Sequence, residues 1–98
     1  MMTEREMKLI LRLGEYTAEY LALEREKEIY YLEHTKDMSR TTIVTLYLRQ
    51  VYIDTLIKKI VRLVDRLRKD DVEFDNEVAI LVYDYYAPAM KRGLSDLL

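Results

Sequence analysis

No glycine or proline occurs between Gly14 and Pro88. Such a stretch lacks the two residues that most often punctuate short strands and tight turns, so long helices are the structures it suits best. Apolar residues recur at helical spacing along the chain. Leu9, Leu13, Tyr16, Tyr20, Leu23 and Tyr30 share one face of a first helix. Met7, Leu11, Ala18, Ala22 and Ile29 share the opposite face, and charged strips such as Arg12, Glu15, Glu19, Glu26 and Glu33 separate the two. A helix with two opposed apolar stripes needs partners on both sides. Gly14, Ala18 and Ala22 form a small-residue ridge on the second stripe. A glycine inside a helix costs about 1 kcal/mol relative to alanine, so Gly14 marks a place where another backbone approaches closely. The expected self-association interface is therefore Met7, Leu11, Gly14, Ala18, Ala22 and Ile29.

A second helix follows from Leu46, Ile53, Ile60 and Leu67, which repeat every seven residues and are joined by Leu56, Ile57, Leu63 and Val64. Its first half, Ile43 to Ile53, is apolar almost all round and is expected to be buried. That half is also rich in β-branched and aromatic residues, so a strand over 42–48 is the alternative. Between the helices, Asp37 or Ser39 supplies an N-cap, and Asp, Ser and Thr disfavour helix near Met38. The competing reading is one continuous helix of about 65 residues, near 100 Å long. An antiparallel hairpin turning at Met38 sets residues whose numbers sum to about 77 at one level. It would pair Glu19 with Lys58, Glu15 with Arg62, and Arg12 with Asp65.

The acidic segment from Asp70 to Asn76 offers several N-caps, so a third helix is predicted from about Asp75, burying Val78, Leu81, Val82 and Tyr85. Pro88 should kink or end it at Ala87, with a short turn to Gly93. A strand over 78–86, paired with 42–48, would make the fold α+β instead. The favoured architecture is one all-α domain over residues 1–98, with helices at about 3–36, 40–69 and 75–87 and a C-terminal turn over 88–98. A long antiparallel hairpin and a shorter third helix would form a bundle completed by self-association as a homodimer.

Charge is distributed unevenly. The net charge is −2. Residues 1–38 hold six basic and nine acidic side chains, residues 39–69 eight and two, and residues 70–98 two and seven. Lys58, Lys59, Arg62, Arg66 and Lys69 cluster on the second helix and fit either ion pairing with the acidic flanks or a run of nucleic-acid phosphates. Ion pairing is the leading expectation, because no aromatic residue interrupts 58–69 to stack a base. Nine tyrosines against one phenylalanine and no tryptophan suit half-buried helix and subunit contacts.

Catalytic signals are missing. Without cysteine there is no disulfide and no thiolate chemistry. His34 is the sole histidine, without a Glu-x-x-His or His-x-x-x-His spacing, and belongs at a helix C-terminus. The Glu24-Arg25-Glu26-Lys27-Glu28 run fans around the helix, no glycine-rich phosphate loop exists, and Ser39 and Ser95 have no base nearby in sequence. No catalytic, cofactor or metal residue is assigned. The expected function is non-enzymatic: a structural or protein-interaction module whose partner is another copy of itself or another protein. Nucleic-acid binding through 58–69 is the alternative. The longest apolar run, Val78 to Tyr83, is too short to span a bilayer, and the start lacks a signal-like apolar stretch, so an intracellular location is expected. With one Asn and one Gln among many Glu, Lys and Arg, the composition resembles that of proteins from hyperthermophilic archaea and their viruses, which implies thermostability.

Overall fold

The computed structural model describes residues 2–93, as three helices: α1 (Glu4–Glu33), α2 (Arg40–Lys69) and α3 (Glu77–Lys91). Among these residues there is no strand, so 42–48 and 78–86 are helical and the α+β reading is set aside. None of the helices is long and apolar enough to cross a membrane. Each begins with a side-chain cap. The Thr3 hydroxyl accepts from the Glu6 amide at 3.1 Å while the Glu6 carboxylate accepts from the Thr3 amide at 3.3 Å, a reciprocal capping box. Ser39, one of the two expected caps, accepts from the Thr42 amide at 3.3 Å, and Asn76 accepts from the Ala79 amide at 3.0 Å.

The break near Met38 is present, so the continuous long helix does not form. α1 stops at Glu33 with His34 as its C-cap, three residues short of the expected end. The His34 ring stacks on Tyr30 at 4.0 Å and its Nδ1 bonds the Tyr30 carbonyl at 2.7 Å. α2 closes with a Schellman arrangement. The Val72 amide donates to Leu67 and the Asp71 amide to Arg68, and Asp71 takes the left-handed conformation (φ 56°) that glycine usually supplies. Pro88 does not end α3, which continues to Lys91. Pro88 cannot donate to the carbonyl one turn back, yet Ala87 and Met90 on either side of it pack on the core, and one further turn follows before Gly93 (φ 77°), whose amide donates to the Met90 carbonyl. The part of the expected 88–98 turn beyond Gly93 lies outside the described residues.

The hairpin register agrees with a sum near 77. Lys27 donates to the Gln50 side chain at 2.6 Å, Arg49 pairs with Glu26 at 3.6 Å, and Lys59 lies over the Tyr16 ring at 5.6 Å. The three charge pairs expected from that register do not form. Asp65 faces α3, where Tyr83 and Lys91 hold it, while Arg12 lines a groove with Arg62 and Arg66. The level was right and the helix face was not.

The core is built around the C-terminal half of α2. Ile53, Ile57, Ile60, Val64 and Leu67 are sealed against Leu9 and Leu13 of α1 and Ala79, Val82 and Ala87 of α3. Of the α3 face expected to be buried, Val82 is in the core and Val78 packs against it, but Leu81 and Tyr85 are not. Leu81 and Tyr85 are 69 % and 77 % exposed, and Ala79, Tyr83, Tyr86 and Ala87 turn inward in their place. Two alanines let the α3 backbone settle close to the core, while Tyr83 keeps its hydroxyl on Asp65.

Candidate functional site

α3 covers only one side of one half of the hairpin. On α2, Val61, Asp65 and Arg68 follow at steps of four and three on the side that faces α3, and Ile43, Tyr47, Gln50 and Asp54 continue that side toward the Met38 turn. Tyr83 donates to Asp65 at 2.5 Å, Lys91 donates to Tyr83 at 2.6 Å and pairs with Asp65 at 3.2 Å, and the Arg68 guanidinium sits 4.7 Å from the Tyr83 ring centroid. This cluster pins α3 to the proximal half, the half away from the Met38 turn. The Lys91 ammonium is held above its ordinary pKa of 10.5 chiefly by the Tyr83 hydroxyl and then by Asp65.

Toward the Met38 turn, no third helix is present among the described residues. The same side opens into a groove lined by Tyr31, Leu46 and Tyr47 with Glu24, Lys27 and Glu28 at its rim. Ile43, Val44, Tyr47, Leu48, Val51 and Tyr52 are all exposed, which corrects the expectation that this half of α2 would be buried. Two helices alone bury one stripe of each, here around Thr42 and Ile53, and the rest of an all-round apolar segment is left outside.

The six residues assigned to self-association also face out. Met7, Leu11, Gly14, Ala18, Ala22 and Ile29 lie on the outer surface of α1, and a methyl group added at Gly14 would meet no atom within 4 Å. Beside that ridge, Leu21 of α1 and Leu81 and Tyr85 of α3 flank a cleft floored by Tyr20 and Val82. The Tyr20 and Tyr86 phenols are pushed above the usual 10.0, first by burial and then by the nearby Glu24 carboxylate.

The side of the hairpin away from α3 is different in character. Its distal part is apolar, with Leu23, Leu48 and Tyr52 beside Arg49. Its proximal part is a groove walled by Leu9, Tyr16 and Leu63 and lined by Arg12, Lys59, Arg62 and Arg66. Of the five cations singled out in the sequence, Lys59, Arg62 and Arg66 come together here, whereas Lys58 and Lys69 do not line the groove. Lys58 follows the Asp54–Asp65 strip instead. Arg12 and Tyr16, on α1, were not foreseen as members; the hairpin register could have found them, because it places them opposite Asp65 and Val61.

Among the described residues no three His, Asp or Glu side chains converge on one point. The chain matches no family model, and neither curated proteins nor solved structures resemble it significantly.

Proposed function

We propose that this chain is a non-enzymatic, self-associating helical module whose distal half-hairpin packs against a second copy to complete a bundle. Surplus surface carries this reading. A compact monomer of 11.8 kDa should expose about 5,900 Å², and this one exposes 7317 Å². The excess is about 1,400 Å², against roughly 800 Å² that each partner buries in a standard interface. The radius of gyration of 15.8 Å likewise exceeds the 13 Å or so of a compact chain this long. Ile43, Val44, Tyr47, Leu48, Val51 and Tyr52 all contribute to the exposed surface, where the described residues form a hairpin with no covering helix. A hairpin pairing with its own copy there supplies the two missing helices, and tyrosines at 47 and 52 suit a half-wet interface. The small-residue ridge on α1 offers a second such contact.

Sedimentation equilibrium at micromolar concentration should return twice the 11.8 kDa chain mass or a higher multiple. Tyr47→Glu with Leu48→Glu should return the monomer mass with helicity retained, because both side chains point away from the core of their own chain. A wild-type chain that sediments as a monomer at 100 µM (an order-of-magnitude ceiling well above a micromolar affinity) and melts cooperatively would overturn the reading.

A further inference from the structure

We propose that the proximal groove between α1 and α2 binds the phosphodiester backbone of a single nucleic-acid strand through Arg12, Lys59, Arg62 and Arg66. This inference is independent of self-association through the distal half.

Four cations border one groove, and none of them makes an ion pair among the described residues. The chain has 18 acidic side chains, so carboxylates are not scarce. Glu15 and Glu19, the α1 acids at this level of the hairpin, are exposed and also form no ion pair among the described residues. Like charges lining one groove repel. An anion relieves that repulsion and gains contacts from both helices at once. Lys59 is held at the groove by the face of Tyr16.

The shape of the charge selects an extended anion. Lys59, Arg62 and Arg66 follow one another at steps of three and four residues, a run of about 10 Å along the helix. A single phosphate is too small to reach both ends. A nucleic-acid strand presents a regular row of phosphates, so about three successive ones can engage the three cations of the run. Three of the four groups are guanidiniums, whose planar fork engages phosphate oxygens in pairs. The contacts reach phosphates only, so binding should be indifferent to base sequence.

Fluorescence anisotropy of labelled twenty-nucleotide oligothymidylate and oligouridylate would test this. At about 50 mM salt both should bind, and log affinity should fall against log salt with a slope near −2, as about three released counterions require. Whichever strand binds more tightly identifies the preferred sugar. Arg62→Gln with Arg66→Gln should weaken binding at least tenfold and flatten the slope by about 1.4, as the loss of two phosphate contacts requires. Lys58→Gln with Lys69→Gln removes the same charge outside the groove and should change affinity less than twofold. No binding at low salt would overturn the proposal, and so would equal losses in the two double variants. Competition by polyglutamate as strong, charge for charge, as by oligouridylate would overturn it in favour of an acidic protein partner.

Discussion

Asn76 donates its side-chain amide to the Thr17 hydroxyl at 3.1 Å while its carbonyl oxygen caps α3. The Thr17 hydroxyl, buried, in turn lies within reach of the Leu13 and Gly14 carbonyls. One side chain, the chain's sole asparagine, thus starts α3 and ties it to α1. Asn76→Asp keeps a capping oxygen but puts a second acceptor against Thr17. Asn76→Ala loses both roles. Thermal melts should place the Asn76→Asp variant about 1 kcal/mol below wild type and the Asn76→Ala variant about 2 kcal/mol below. Equal stability of the Asn76→Asp variant and the wild-type protein would show that the link to α1 contributes nothing.

The Tyr83–Asp65–Lys91 cluster makes a prediction about alkaline pH. Tyr20 and Tyr86 are raised from 10.0 by burial and Lys91 from 10.5 by its hydrogen bonds, so all three bind protons more tightly folded than unfolded. Groups raised in this sense stabilise the fold below their unfolded pKa and lose that contribution as pH rises through the folded value. Melting temperature should therefore hold to about pH 9.5 and fall between about pH 10 and 11. A melting temperature that is flat or rising across that window would contradict the assignment. Tyr83→Phe removes the hydroxyl that bridges Asp65 and Lys91 and should cost about 1 kcal/mol at neutral pH.

Gly14 separates a free ridge from a packed one. Within one chain a methyl group there meets nothing, so Gly14→Ala should add about 1 kcal/mol of helix stability to a monomer. If the ridge is an interface, the same change pushes two backbones apart and lowers the association constant. Ala18→Leu, likewise exposed within the chain, should then loosen the oligomer too, overpacking by about 1–3 kcal/mol. Measuring stability and mass together on both variants distinguishes the outcomes.

Asp71 occupies the left-handed position that closes α2. Asp71→Gly removes the Cβ clash and should stabilise by up to about 1 kcal/mol, whereas Asp71→Val should destabilise by about 1–2 kcal/mol. Urea midpoints for the two variants should lie on opposite sides of wild type.

Helices α1 and α2, their break and their level were legible because each rests on a local signal: heptad spacing, capping residues, weak helix formers near Met38. Faces were legible only where the apolar stripe was narrow. Leu9, Leu13, Ile53, Ile60 and Leu67 could turn only one way. The 43–53 segment has no polar side to fix its rotation, and the inward choice of Ala79 and Ala87 over Leu81 and Tyr85 depends on how close two backbones come. The run of α3 through Pro88 was not legible because it rests on the packing of Ala87 and Met90 against the core, which only the fold supplies. The basic groove was half visible. Its α2 cations were a sequence cluster, but Arg12 and Tyr16 join them only through the fold, and the pairing of Arg12 with Asp65 assumed the wrong side of α2.

Because α3 braces only the proximal half, protection from solvent should be graded along both long helices. Amides between Ile53 and Leu67 sit in the sealed core and should exchange their hydrogens only when the whole molecule opens. Amides from Tyr30 through Leu48 belong to a two-helix arm with few buried contacts and should exchange by fraying from the Met38 turn. Dilution makes this readable: slow exchange in the arm at high concentration that becomes fast on dilution, while the core stays slow, would identify the arm as the part that each molecule leaves for a neighbour to finish.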